Sequence, residues 1–267
     1  MYNRPVTVSA LELELLDVAR LAAGAAADEL RPRFGHTQSD IRAKSSPTDL
    51  VSEADLAAEA SIRRVLADRR PDDAILGEEG GQTGDGELRW VIDPLDGTIN
   101  FLFGVPQFAV SVACEDGDGG LAAVVLDPVR DECFSATRSG RPQLNGTPIA
   151  GSDRDELSTA LVATGFDYDA RVRARQATVL SRVLPNVRDI RRAGSAALDL
   201  SWCACGRYDA YFERGVKPWD YGAGGLIASR AGLELRRLDA DGEDPAGVLA
   251  APAALVDDLL ALILGRT

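Results

Sequence analysis

The sequence predicts a mixed α and β fold of two halves packed as one unit, an α+β half over about 1–150 and an α/β half over about 151–267. Three observations predict it. Two helical patterns open the chain and a run of short, antiparallel-looking strands follows them. Beyond Gly151 strand-like and helix-like segments alternate, the order that α/β layering requires. No internal repeat or low-complexity linker divides the 267 residues, whose 45% apolar and 27% charged content is ordinary globular composition.

A helix is expected over 9–30, where Ser9 and Glu12 have capping-box spacing and Leu11, Leu15, Val18, Ala22 and Ala25 recur at helical intervals. Pro32 and Gly35 end it. An extended piece over 41–44 leads through the turn Ser45-Ser46-Pro47-Thr48 to a second helix over 52–70, with Asp55 in its first turn, where a carboxylate suits the helix dipole. Short strands follow over 74–76, opening into the acidic loop GEEGG, and over 90–92, ending in a turn rich in Asp, Pro and Gly. Further strands fit 109–114, 122–126, 133–136 and 142–144. In the second half strands over 161–164, 187–190, 208–212 and 248–250 alternate with helices over 170–184, 194–205, 219–231 and 252–264.

Charge and residue counts exclude several functions. Forty-two acidic against twenty-nine basic residues leave a formal −13, and the short basic runs RPRF and RVRAR lie among acids, which argues against nucleic-acid binding. Such a chain handles an anionic substrate only where something reverses the local field, as a bound metal cation does. No apolar run approaches the roughly 20 residues of a membrane-spanning helix, and acids interrupt the N-terminus where a signal peptide needs an apolar stretch, so a soluble, cytoplasmic chain with no membrane partner is expected. The single histidine, His36, reads as a surface loop residue, which leaves Ser-His-Asp, Cys-His and phosphohistidine mechanisms without their residues. Cys114, Cys133, Cys203 and Cys205 lack the paired spacing of a zinc site and read as free, buried thiols.

Three segments carry the chemistry: Gly77-Glu78-Glu79, Asp93-Pro94-Leu95-Asp96-Gly97-Thr98 and Trp219-Asp220. Each puts carboxylates at a strand end or a helix start, where side chains converge at a sheet edge. Pro94 biases Asp93 toward extended backbone, and the turn after it can aim the Leu95 carbonyl inward. A short helix beginning at Gly97 would turn the N–H groups of Gly97 and Thr98 toward an anion such as phosphate. Oxygen-only ligands of this kind suit Mg²⁺ or Mn²⁺ rather than zinc or copper. Taken singly, each segment also reads as a strand-exit turn, a solvated acidic loop or a helix cap; their joint occurrence is what points to a metal and phosphate site.

AKSSPTDLVSEAD (43–55), ILGEEG (75–80), WVIDPLDGTINF (90–101), RRAGSAALDL (191–200), YDAYFERG (208–215) and WDYGAGGLIASRAG (219–232) together resemble the inositol monophosphatase family of Mg²⁺-dependent, lithium-sensitive phosphatases, over nearly the whole chain. The resemblance implies the layered αβαβα sandwich of the sugar-phosphatase type, a homodimer, and hydrolysis of a phosphate monoester of a small polyol by a metal-activated water. Glu78, Asp93, the Leu95 carbonyl, Asp96 and Asp220 match the metal ligands, with Asp93 bridging two ions. Asp55 and Thr98, beside Glu78, match the residues that orient and deprotonate the water. Gly97 and Thr98 match the phosphate site; Gly194, Ser195, Ala196, Glu213 and Asp220 match the positions that meet the substrate. Lys44 resembles a supporting lysine near a third, weakly held metal. Ser195 replaces a common threonine, and Gly222 stands where the family usually has alanine, a change expected to loosen the helix start while leaving Asp220 in place.

The implied substrate is myo-inositol 1-phosphate first. Glu213 would accept the hydroxyls of the ring or, alternatively, the amine of histidinol phosphate. Fructose 1,6-bisphosphate and nucleotide 3′-phosphates rank next, since a second phosphate calls for further cations, and the direction of Arg191 and Arg192 is not legible in the sequence. A non-catalytic interaction protein on the same fold, binding for instance the transcription apparatus, would be expected to have lost ligands that this chain keeps.

Overall fold

A computed structural model of the protein describes residues 8–36, 42–43 and 50–266. Helix α1 (Ala10–Leu30) begins with the expected reciprocal box: Ser9 Oγ accepts from the Glu12 N–H, and the Glu12 carboxylate accepts from the Ser9 N–H. The same carboxylate takes the N–H and hydroxyl of Ser139, which ties the helix start to the following sheet. Strands β1 (Arg42–Ala43) and β2 (Leu50–Val51) pair antiparallel. The turn 45–48 between them and Lys44 lie outside the described residues. Helix α2 (Glu53–Arg69) carries a second capping box, Ser52 with Asp55, so helix capping helps to fix a candidate site residue.

Eight strands, β3 (Ala74–Gly77), β4 (Gly81–Thr83), β5 (Arg89–Asp96), β6 (Ala109–Asp116), β7 (Gly119–Asp127), β8 (Glu132–Thr137), β9 (Gln143–Leu144) and β10 (Thr147–Pro148), form one sheet in the order β10-β9-β8-β7-β6-β5-β3-β4. All neighbours are antiparallel except β3 and β5. That parallel pair decides where the site lies, because the GEEGG loop after β3 and the DPLDGT turn of β5 leave the sheet at the same edge. The short helix α3 (Thr98–Leu102) follows directly.

The second sheet has the order β12-β11-β13-β15-β14. It contains β11 (Leu161–Thr164), β12 (Asp189–Arg191), β13 (Ala210–Arg214), β14 (Glu234–Leu238) and β15 (Gly247–Ala251), interleaved with α4 (Ala170–Val183), α5 (Ala196–Ala204), α6 (Pro218–Arg230) and the terminal α7 (Ala253–Leu264). β11 runs parallel to both its neighbours and β15 antiparallel to both of its own, so the second half is a mixed sheet. The edge strand β14 goes beyond the strands expected from the sequence, because Glu234, Arg236 and Arg237 interrupt the apolar alternation that marks a strand.

Three apolar clusters separate five layers, the αβαβα sandwich. On β6, Val110, Val112 and Cys114 face α1 and α2, while Ala109 and Ala113 face the opposite side, where α5 and α6 fill the space between the sheets. Val162, Phe212 and Leu249 then meet α7 and the end of α4 on the outer face of the second sheet. Burial on both faces is why the central strands read as unbroken apolar runs. Among the described residues no helix is long and apolar enough to cross a membrane, and all four cysteines are free, two buried and two half-buried.

Gly222, on α6, has room for a methyl: a Cβ there would meet Val91 Cγ1 at 3.7 Å and Ala113 Cβ at 3.9 Å, ordinary contacts. Gly224, two residues on, has none, because its Cβ would lie 2.8 Å from Leu200 Cβ where α5 and α6 touch. Gly222→Ala should therefore stabilise the protein by about 0.5–1 kcal/mol through helix propensity, while Gly224→Ala lowers the thermal midpoint. Thermal unfolding of the two variants beside the parent checks both signs.

Candidate active site

An open cleft of about 830 Å³ lies where β3 and β5 end against α3, α5, β13 and the start of α6. Glu78, Asp93, Leu95, Asp96, Gly97, Thr98, Gly194, Ala196, Glu213 and Asp220 line it. Five separate parts of the chain are thus brought to one place. Asp55 and Ser195, both buried, sit directly behind this wall.

The DPLDGT turn makes the floor. β5 loses register with β6 between Asp93 and Asp96, a bulge that redirects the backbone at the strand end. Asp93 Oδ1 accepts the Leu95 N–H at 2.9 Å, which holds the turn. Gly97 has φ +101°, in the left-handed region, and a Cβ on it would lie 2.9 Å from the Gln107 carbonyl. Only glycine serves there, and its conformation starts α3. The Thr98 hydroxyl lies 2.9 Å from Asp55 Oδ1 and 3.1 Å from the Leu95 carbonyl, so its one proton serves either acceptor. Asp55 Oδ2 is taken by the Ser52 N–H and hydroxyl. The Asp55–Thr98 pair predicted from the sequence is therefore assembled, with Asp55 locked by its own helix cap.

Asp96 and Asp220 are held by donors at helix starts. Asp96 Oδ2 accepts from Ser195 Oγ at 2.5 Å and from the Ala197 N–H at 2.7 Å, at the start of α5. Asp220 Oδ2 accepts the Lys217 N–H at 2.6 Å, at the start of α6. Ser195 is the N-cap of α5 and spends its hydroxyl on Asp96, while Gly194 and Ala196 on either side line the cleft. Among the described residues no three acidic side chains already close into a metal nest. The carboxylates share one cleft but lean toward these donors.

Their electrostatics are unfavourable as they stand. Burial, then the charges of Glu78, Asp96 and Asp220, pushes Asp93 well above the usual carboxylate range. Asp220 is raised in the same way by burial, then by Asp96 and Glu78. Asp96 is pushed up to about 6, burial outweighing its hydrogen bonds to Ser195 and Ala197. Oxygen donors packed so that each disfavours the ionisation of the next form a set that a hard divalent cation relieves, so the residues fit Mg²⁺ or Mn²⁺.

Several participants carry no signal in the sequence. Glu59 on α2 is buried, pairs with Arg63 and accepts the N–H groups of Glu79 and Gly80 at 2.8 Å, which fixes the loop that carries Glu78. Asn100 Nδ2 donates to the carbonyls of Gln107 and Ala193, pinning α3 to the Gly194 segment. The buried Tyr211 hydroxyl donates to Glu213 Oε2 at 2.9 Å. Among the described residues neither oxygen of buried Asp199 has a hydrogen-bond partner, and burial, then the nearby charges of Glu213 and Asp96, pushes this carboxyl well above the usual carboxylate range. Of the adjacent arginines, Arg191 turns outward and pairs with Asp189 at 2.6 Å, whereas Arg192 lines the cleft.

Glu213 is half-buried, and burial pushes it up to about 7, with the Tyr211 hydrogen bond and Arg192 pulling the other way. An acid with a folded-state pKa above its unfolded value contributes stability that is complete below pH 4.5 and is lost as pH rises through about 7. Glu213→Gln should remove that loss. Relative to the parent, the metal-free variant gains on the order of 1–3 kcal/mol between pH 5 and pH 8, read from urea unfolding at both pH values. A parent–variant difference independent of pH would contradict the assignment.

A profile of the inositol monophosphatase family matches residues 12–262. The chain is 44% identical over 248 residues to an inositol-1-monophosphatase of Mycobacterium bovis, covering 86% of this chain and 83% of the relative. It is 38% identical over 221 residues to the Nus factor SuhB of Escherichia coli K12, covering 82% and 83%. Among solved structures it is similar to the extragenic suppressor protein suhB of Bartonella henselae, with a TM-score of 0.86 and 32% identity over 94% of this chain and 98% of that one.

Proposed function

The chain belongs to the inositol monophosphatase family, and from that premise we propose that it is a Mg²⁺-dependent phosphatase of small polyol phosphates, with myo-inositol 1-phosphate as substrate. The observation that carries the reading is the set Glu78, Asp93, Asp96 and Asp220 in one cleft, each raising the pKa of another, beside the Asp55–Thr98 pair. A purely non-catalytic role would leave that repulsion without a purpose.

Glu78, Asp93, the Leu95 carbonyl, Asp96 and Asp220 would hold the cation. When bound, Mg²⁺ (or Mn²⁺) supplies Lewis-acid neutralisation of the phosphoryl charge and acidifies the attacking water. Thr98 Oγ would take a hydrogen bond from that water and relay its proton toward Asp55 Oδ1, its 2.9 Å partner. The N–H groups of Gly97 and Thr98 at the start of α3 would orient the phosphoryl oxygens. Gly194, Ala196 and Glu213 would bind the leaving alcohol, Glu213 accepting from its hydroxyls, with Tyr211 holding that carboxylate in place.

Phosphate release from inositol 1-phosphate, histidinol phosphate, fructose 1,6-bisphosphate and adenosine 3′,5′-bisphosphate tests the reading. Inositol 1-phosphate should be turned over with Mg²⁺, lose turnover with a chelator and recover it on re-addition. Hydrolysis of none of the four would overturn the phosphatase reading; a much higher kcat/KM for histidinol phosphate would replace the substrate.

A further inference from the structure

We propose that Gly165 positions Glu213 for the substrate. Its missing side chain leaves the seat that the Glu213 carboxylate occupies, so that selection for the hydroxyls of a polyol phosphate depends on glycine at 165. This inference rests on the phosphatase reading and deepens its account of substrate recognition.

Glu213 lines the cleft, whereas Gly165 is buried and lies off the cleft wall. The sheet brings the two together. β11 and β13 run parallel with Thr164 opposite Phe212, so the next residues, Gly165 and Glu213, leave the sheet side by side. A Cβ on Gly165 would have Cδ, Oε1 and Oε2 of Glu213 as its three nearest neighbours, all of them closer than atoms can approach. The carboxyl group thus fills the space of the absent side chain. The backbone makes no demand for glycine of its own, since φ of Gly165 lies outside the left-handed region. What excludes a side chain at 165 is the carboxylate of Glu213.

The two strand ends are clamped to each other on both sides of this pair. Immediately before it, the buried Thr164 hydroxyl donates to the Phe212 carbonyl at 2.7 Å. Immediately after it, Gln176 of α4 donates to the Arg214 carbonyl at 3.2 Å and accepts the Asp167 N–H at 3.0 Å, which ties the two exits together. Across β13, a Cβ on Gly247 would collide with the backbone of Glu213 and Arg214, so β15 packs against this stretch without a gap. With the backbone held, the carboxyl group is the part free to move, and a methyl at 165 has to displace it. A displaced carboxylate gives up the Tyr211 hydroxyl at 2.9 Å, and with it the fixed direction from which it would accept the hydroxyls of a substrate.

p-Nitrophenyl phosphate offers a scissile ester without ring hydroxyls. The ratio of kcat/KM for inositol 1-phosphate to that for p-nitrophenyl phosphate, both with Mg²⁺, therefore reads the Glu213 contact apart from the phosphate chemistry. Gly165→Ala should lower this ratio by about 10- to 100-fold, chiefly through KM for inositol 1-phosphate, the loss expected for a hydrogen bond to a charged group. Because the displaced atoms are the end of a flexible side chain, this variant should keep the parent's unfolding midpoint. Glu213→Ala should lower the ratio as far, and adding Gly165→Ala to it should lower the ratio no further, since no carboxylate is left to displace. A ratio unchanged in Gly165→Ala or in Glu213→Ala, or a further tenfold loss in the double variant, overturns the positioning role. So does an early melt of Gly165→Ala that Glu213→Ala fails to repair. Each of these outcomes leaves the phosphatase reading standing; hydrolysis of neither ester by the parent removes both.

Discussion

Asp93→Asn is expected to lower turnover roughly a thousandfold or more while the metal-free protein unfolds at the parent's temperature or above it. The two halves of this result have one cause. Asp93 is 2% exposed and feels the charges of Glu78, Asp96 and Asp220, so the parent folds against repulsion at this point. An amide of the same shape keeps the oxygen that accepts the Leu95 N–H and removes one of the repelling charges. What it loses is the anionic oxygen able to bridge cations. Phosphate release, calorimetric titration with Mn²⁺ and a thermal melt without metal read the three quantities together. Parent-like turnover would remove Asp93 from the metal set, and a collapsed melt would make its role structural.

Asp55→Asn should lower kcat by about 100- to 10,000-fold and leave Mn²⁺ affinity and KM within about threefold of the parent. Asp55 lies behind the cleft wall and is joined to it through the Thr98 hydroxyl, so binding should be spared. An asparagine oxygen can still accept from Ser52, at a capping cost of about 1 kcal/mol or less, but its amide nitrogen cannot take a proton from Thr98. Thr98→Ala should share the kcat defect and Thr98→Ser should recover most of it. An unchanged kcat in Asp55→Asn would detach the pair from the chemistry, and a fall in Mn²⁺ affinity equal to the fall in kcat would mean that Asp55 acts through the metal set instead.

The parts of the site legible in the sequence are those fixed by local backbone chemistry. Pro94 and Gly97 constrain the turn that carries Asp93 and Asp96, and the Ser52–Asp55 spacing specifies a cap within four residues. The parts that were hidden depend on what a side chain meets across the fold. Glu59 reads as an ordinary helical charge until its partners in the GEEGG loop, twenty residues away, are known. Ser195 reads as a substrate hydroxyl, yet it lies under Asp96 as the cap of α5. Arg191 and Arg192 are adjacent and identical in type, and only the backbone at the end of β12 sends one to solvent and the other into the cleft. In the fold the same division holds: the buried central strands announce themselves by apolar runs, while the charged edge strand β14 does not.

Anomalous diffraction at the manganese edge, from crystals grown with Mn²⁺ and inorganic phosphate, tests most directly whether this cleft is a cation and phosphate site. The expected map has a peak about 2.1 Å from carboxylate oxygens of Asp93 and Glu78 or Asp220, with Asp96 and Asp220 swung off their present hydrogen-bond donors and phosphate against Gly97 and Thr98. A fully occupied peak held by other residues, or a cleft without any peak at saturating Mn²⁺, would contradict it.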